Sequence, residues 1–178
     1  AFRDASLLGY DADIAEDAYF NYAKLSFDLN SDSSVFHDYL KRYSELDKGE
    51  RIYSYIAVAA LHNRDYAGAL EAYDKIDYLD GDMKNNYMKA NYLRAGQLID
   101  RGSYRMAIPC LKTAVYYSAR NSRFNQLSRF WLAESYYRND QYAQARELFT
   151  ELYNQTALNR QAESYLITYN IAYCYYKE

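Results

Sequence analysis

The sequence Gln141-Tyr142-Ala143-Gln144-Ala145-Arg146-Glu147-Leu148-Phe149 has two earlier counterparts in the chain, at residues 65–73 and 103–111. In each copy a tyrosine is followed by alanine at i+3, a large apolar residue at i+7 and another apolar residue at i+10. The three tyrosines are 38 residues apart. Because these positions share one face of an α-helix, the pattern predicts three equivalent amphipathic helices, which we name the B helices.

A second helix, named an A helix, precedes each B helix and carries its own small residue. The small residues of five such registers are Ala23, Ala57, Ala95, Ala133 and Ala172. Polar turns at 63–65, 101–103 and 139–141 separate three A helices from their B helices. Alanine lets two helix backbones approach closely, and one pair alone cannot bury its apolar face. The sequence therefore predicts an all-α fold of stacked antiparallel helix pairs.

The predicted boundaries follow from this register. A helices are expected near 12–28, 49–63, 84–101, 123–138 and 160–177, and B helices near 33–45, 66–79, 104–119 and 142–155. Pro109 lies inside a predicted B helix, so we expect a bend or a 3₁₀ start there. The string at 77–82 is expected to be a turn between repeats with a glycine C-cap.

Composition favours the same fold class and excludes others. The 178 residues include 3 Val, 8 Ile and 4 Thr against 23 Ala and 18 Leu, too few β-branched residues for a sandwich or barrel. No apolar run approaches the ~18 residues of a membrane span. The net charge of −3 gives no reason to expect a nucleic-acid partner. Cys110 and Cys174 are expected to pack between helices. The unusual feature is the presence of 24 tyrosines.

The sequence offers no pattern typical of an enzyme, a cofactor site or a metal site. His37 and His62 have no neighbours at metal-ligand spacing, and none of the six glycines forms a phosphate-binding loop. The string at 28–34 begins like a calcium loop but has Ser33 where glycine is needed and Tyr39 where the bidentate glutamate is needed. We therefore expect a helix-capping turn at 28–34, and no catalysis, cofactor or metal.

The repeated Tyr-x-x-Ala-x-x-x-aromatic B helix resembles the tetratricopeptide repeat (TPR) family over nearly the whole chain. The aromatic residue that opens helix A is present as Tyr53 but replaced by Asn91 and Arg129, and no repeat ends in proline. The resemblance implies a right-handed superhelical α-α solenoid. Its repeats are expected at about 16–49, 50–87, 88–125 and 126–164, with a half repeat at 165–178.

The phrasing at 18–26 and 131–137 also resembles long TPR proteins of the Bacteroidetes cell envelope, which implies periplasmic exposure or association with an outer membrane. The family resemblance implies a non-catalytic scaffold that binds a protein or peptide in its concave groove. The alternative implied function is glycan binding in a bacterial nutrient-uptake system, because the tyrosine-lined helical repeats of such proteins stack on sugar rings.

Candidate groove residues follow from counting three residues back from each small alanine, which gives rows at i, i+4 and i+7. These rows are expected on the stripe of each A helix that faces away from its B partner. The groove candidates are Phe20, Lys24, Phe27, Val58, Leu61, Tyr92, Ile99, Phe130, Glu134, Tyr137, Tyr169, Tyr173 and Tyr176. An aromatic wall is typical of an interface, although the rings can also simply pack against the next A helix. Glu134, between two rings, predicts a partner with Lys or Arg near an apolar residue.

The two ends of the sequence suggest a fragment of a longer chain. The first residue is not methionine, and the last residues continue an apolar helical pattern without a glycine or proline stop. We therefore expect the final helix to present an open face with Tyr169, Ile171, Ala172 and Tyr175, where a B helix is missing. Such a face favours homo-oligomer formation.

Overall fold

The computed structural model describes residues 1–8, 11–43, 48–156 and 163–177, except for the side chains of 156 and 163–165. Within these residues all regular structure is helical, which confirms the all-α, TPR-like fold class. The helices are α1 (Phe2–Ala5), α2 (Ala12–Asn30), α3 (Ser34–Arg42), α4 (Gly49–His62), α5 (Tyr66–Tyr73), α6 (Gly81–Asp100), α7 (Tyr104–Tyr117), α8 (Arg123–Arg138), α9 (Tyr142–Thr156) and α10 (Glu163–Lys177). Across the described ranges, no helix is long and apolar enough to traverse a bilayer.

Three turns of one repeated conformation join α4 to α5, α6 to α7 and α8 to α9. The middle residue of each turn has a positive φ angle, 60° at Arg64, 71° at Gly102 and 58° at Asp140. These positions are 38 residues apart, the period of the sequence repeat. A three-residue connection makes consecutive helices antiparallel neighbours. The predicted unit of helix A, turn and helix B is thus confirmed three times.

The main differences from the predicted boundaries lie between α5 and α6. Helix α5 ends at Tyr73 rather than near 79, and the backbone N–H of Asp77 donates to Glu50 Oε1 at 3.3 Å instead of continuing the helix. Gly81 is the first residue of α6 and not a C-cap, because Asp80 Oδ1 accepts from the backbone N–H of Met83 at 2.8 Å. That bond satisfies one of the free donors at a helix start.

Two other features depart from the sequence-based boundaries. Helix α1 was not predicted, and the predicted end of α3 at 45 and start of α10 at 160 lie outside the described residues. Pro109 is exposed within α7, which is α-helical from Tyr104 onward, so the expected 3₁₀ start is wrong. The hydroxyl of Thr113 donates to the Pro109 carbonyl at 3.1 Å.

The chain divides into two compact units, and the first, Ala1–Met83, has an aromatic core. Phe36 and Tyr39 of α3 are buried, and the Phe36 ring stacks on Tyr55 of α4 with centroids 5.0 Å apart. Buried Glu16 of α2 accepts a hydrogen bond from the Tyr39 hydroxyl and pairs with Lys48 Nζ at 2.8 Å. A buried carboxylate is costly without such partners, so this network fixes α2 against its neighbours.

The second unit, Lys84–Glu178, contains most of α6 and helices α7 to α10. Leu111 of α7 and Phe149 and Leu152 of α9 are at most 1% exposed and form the centre of its core. The alanines predicted at contacts between A and B helices, Ala69, Ala107 and Ala145, are each 0% exposed. Their complete burial confirms the register of the B helices.

Candidate functional site

The pair α8–α9 shows how an A helix and a B helix meet in this protein. The Phe130 and Phe149 rings lie 5.9 Å apart at one end of the contact, and Tyr137 and Tyr142 lie 5.7 Å apart at the other. Between them Ala133 and Ala145 are 0% exposed. Aromatic pairs therefore close both ends of a contact whose centre is held tight by alanine.

This geometry corrects the predicted groove rows. Phe130 and Tyr137 were expected to face away from the B helix, yet both rings contact α9. The physical reason is that positions i and i+7 share a helix face with i+3, and i+3 is the contact alanine, Ala133. Only the i+4 residue of the row, Glu134, turns toward the next A helix.

Glu134 has its own partners, which also corrects a prediction. Its Oε1 accepts from Arg138 Nε at 2.7 Å, and its Oε2 accepts from Asn170 Nδ2 of α10 at 3.3 Å. The hydrogen bond to Glu134 raises the pKa of Arg138. Because this carboxylate is already paired with a cation, it does not select a partner with Lys or Arg as the sequence suggested. Its role is to hold α8 to α10.

Four tyrosines on α8 and α10 come together, and we name them the tyrosine cluster: Tyr137, Tyr169, Tyr173 and Tyr176. Tyr173 is the central ring, with centroid distances of 5.8 Å to Tyr137, 5.9 Å to Tyr169 and 5.9 Å to Tyr176. Tyr169 is 61% exposed and Tyr176 is 80% exposed. The ammonium of Lys177 lies 5.6 Å from the Tyr173 ring centroid. The cluster is thus a half-exposed aromatic surface with a cation at its edge.

The ionisation state of these phenols is set by burial and neighbouring carboxylates. Burial raises the pKa of Tyr137. The Tyr142 hydroxyl, next to the cluster, donates to Asp140 Oδ1 at 2.5 Å, and this hydrogen bond raises the pKa of Tyr142 to about 12. These two phenols are therefore neutral near pH 7, so they offer hydroxyl donors and ring faces rather than charge.

Tyr92 and Ile99 of α6 are half-buried and belong to the packing of the second unit. The Tyr92 ring lies 4.6 Å from that of Phe124 and hydrogen-bonds to the Trp131 side chain, and burial raises its pKa. Ile99 packs against the core. The structure therefore brings Tyr92 to Phe124 and Trp131, and not into the tyrosine cluster.

In the first unit the predicted rows are mostly part of the packing. Phe20 is 6% exposed and its ring lies 6.4 Å from Phe36, so its assignment to an open groove is wrong. Phe27 is half-buried with its ring 5.5 Å from Tyr55. The remaining candidates of this unit, Lys24, Val58 and Leu61, are half-buried. None of these residues forms an exposed aromatic surface like the one on α10.

Two clefts were not predicted from the sequence. One, of about 540 Å³, lies in the first unit among α3, α4 and α5 and has His37, Glu71 and Lys75 at its rim. The other, of about 510 Å³, lies between α9 and α10, where the Arg146 guanidinium is 4.6 Å from the Tyr175 ring centroid. Both depend on how helix ends splay apart, which short-range sequence patterns do not specify.

The calcium-like string at 28–34 forms the predicted turn. Asp32 Oδ1 accepts from the backbone N–H of Ser34 at 2.9 Å, and this bond lowers the pKa of Asp32. Among the described residues no group of three or more His, Cys, Asp or Glu side chains is placed to hold a metal ion.

Comparison with known proteins gives similarity of fold alone. No family model matches the chain, and no curated protein matches it. Among solved structures, one described as a Podosopora anserina kinesin light chain with nearly identical TPR-like repeats is 15% identical, with a TM-score of 0.47 over 91% of this chain and 84% of that one. The MamA RS-1 double mutant is 14% identical, with a TM-score of 0.44 over 89% of this chain and 93% of that one.

Proposed function

We propose that this protein is a non-catalytic scaffold that binds a protein or peptide segment through the tyrosine cluster on α8 and α10. The observation that carries the proposal is the chain of four touching tyrosines, of which Tyr169 and Tyr176 are more than half exposed. Soluble domains rarely expose adjoining large rings without a partner. Tyrosine is enriched at interfaces because it offers a large contact area at low conformational cost, plus a hydroxyl.

The chemistry of the cluster indicates the kind of segment it binds. Its rings suit apolar or aromatic side chains, and its hydroxyl groups suit backbone carbonyl acceptors. Lys177 at the edge favours a carboxylate on the bound segment. Glu134, already paired with Arg138, adds no demand for a basic residue. The proposed ligand is therefore an aromatic or aliphatic peptide with an acidic residue at one side, and not a nucleic acid.

A peptide display selection tests this proposal. The full chain is used to select binders from a random peptide library, and the enriched peptides are then measured against a double variant, Tyr169→Ser with Tyr173→Ser. A matched control carries Tyr116→Ser, because Tyr116 is 80% exposed in the same unit but lies on α7. We expect the double variant to lose binding by at least about tenfold, since anchoring rings carry most of an interface's energy. Equal binding by both variants would place the ligand elsewhere.

Glycan binding is the alternative function, and it would use the same exposed rings, which can stack on sugars. A glycan array probed with the full chain and with the double variant separates the two functions. A defined glycan that binds the full chain and not the double variant, together with no enriched peptide, would replace the peptide proposal. Location in a bacterial cell envelope stays a prediction of the sequence resemblance.

A further inference from the structure

Helix α10 is buried on one side only, in contrast to α8. Ile167, Asn170 and Cys174 of α10 are at most 5% exposed. On the other side Tyr169 and Tyr176 are 61% and 80% exposed, and Ala172 is exposed. These three residues have the spacing i, i+3 and i+7, so they form one face, which we name the open face of α10. No described residue covers it.

The same pattern on α8 is covered, and the structure shows by what. Phe130, Ala133 and Tyr137 of α8 have the same spacing as the open face and are located 39 residues earlier. That face packs on α9, with Phe130 against Phe149 and Tyr137 near Tyr142. Ala133, at its centre, is 0% exposed whereas Ala172 is exposed. The open face of α10 is therefore the repeat of a helix-binding face, without its helix.

The helix that covers α8 carries the identical pattern. Tyr142, Ala145 and Phe149 of α9 also stand at i, i+3 and i+7. In the antiparallel pair the first aromatic residue of one helix meets the last aromatic residue of the other, at both ends. A contact between two copies of one pattern in opposite directions has an approximate two-fold axis. A face with this pattern is consequently complementary to itself.

From this self-complementarity we infer that the open face of α10 is a dimerisation surface for a second copy of this chain. The two α10 helices pair antiparallel, with Tyr169 against the partner subunit's Tyr176 and the two Ala172 side chains near the axis. The pairing is isologous, so it closes as a dimer and does not propagate. Lys177 lies near the end of the pair, so the two copies bring no like charges together at the centre. The inference extends the proposed protein-binding role of α10 and shares Tyr169 and Tyr176 with it.

A single helix pair makes a small interface, below the about 1,200 Å² that stable complexes bury at the least, so the dimer is expected to be weak. Sedimentation velocity of the full chain from about 1 μM to about 1 mM spans the range in which weak complexes dissociate. We expect a shift from monomer to dimer within it. Ala172→Arg puts a charged side chain at the centre and should raise the dissociation constant at least about tenfold. The matched control, Ala119→Arg, changes an exposed alanine after α7 and should leave it unchanged.

Cross-linking supplies a second measurement that does not depend on a loss of binding. In Ala172→Cys the two introduced thiols lie near the axis and should form an intermolecular disulfide on mild oxidation, whereas Ala119→Cys and the unaltered chain should not. A chain that stays monomeric at about 1 mM, or cross-links equally at both positions, would overturn the inference.

The two proposals fail separately. Peptide capture that persists in a chain that does not dimerise removes only the dimer. A disulfide at position 172 without any enriched peptide removes only the proposed peptide binding. Peptide capture that is lost in Ala172→Arg, by a chain that is always monomeric, would assign the open face to another protein's helix and would contradict the dimer.

Discussion

Replacing Ala145 by leucine tests whether close approach of α8 and α9 at alanine holds the second unit together. Ala145 is 0% exposed, and the rings on either side of it on α9, Tyr142 and Phe149, are engaged with α8. Leucine adds three carbon atoms where no space is left, so the helices must separate or the rings must leave their positions. Overpacking of this kind costs about 1–3 kcal/mol.

Urea unfolding followed by circular dichroism measures the effect. With a slope of about 2 kcal/mol per molar, the expected cost lowers the midpoint by about 0.5–1.5 M. Ala143→Leu is the matched control, because Ala143 is on the same helix two residues away and exposed. An exposed substitution between two good helix formers should change the free energy of unfolding by less than about 0.5 kcal/mol. Equal midpoints for the two variants would refute the assignment of Ala145 to the helix contact.

Two further predictions concern hydrogen bonds to carboxylates. Asp140→Asn should lower the pKa of Tyr142 from about 12 toward 10.0 in a spectrophotometric phenol titration. Because the folded state holds this proton more tightly, the unaltered chain should lose the corresponding stability as pH rises from 10.0 to about 12, and the variant should lack that part of the decline. Tyr39→Phe should lower the free energy of unfolding by about 1–3 kcal/mol, since buried Glu16 then keeps only its bond to Lys48; an unchanged urea midpoint would show that the hydroxyl is dispensable.

The helices and their contact alanines could be predicted because the information is local. A tyrosine, an alanine and a large apolar residue at i, i+3 and i+7 define a face whatever the rest of the chain does, and Ala69, Ala107 and Ala145 are all fully buried. The turns were equally predictable, since polar punctuation recurs every 38 residues and the left-handed residue in each turn follows it. Helix ends were less so, because α6 begins where the Asp80 side chain happens to reach Met83.

The candidate site was predicted less well, for a geometric reason. The sequence identifies which residues share a face but not which neighbour that face contacts. Phe130 and Tyr137 were assigned to the groove, although the alanine between them marks their face as the one that meets α9. The partners of Glu134 depend on Asn170, which is 36 residues away, so no local pattern could reveal them. What survives from the predicted rows is the aromatic surface of α10.

The chemical difference between the covered face and the open face bears on how long a partner stays. At one end of the α8–α9 contact the paired rings are Phe130 and Phe149, and Phe149 is 0% exposed. On α10 the position equivalent to Phe130 is Tyr169, so both ends of the open face carry hydroxyl groups. A phenol ring can be buried against a partner and still be hydrated when the partner leaves, because its hydroxyl bonds to water in the free state. The covered face suits a permanent contact within the fold, whereas the open face suits an interface that forms and separates.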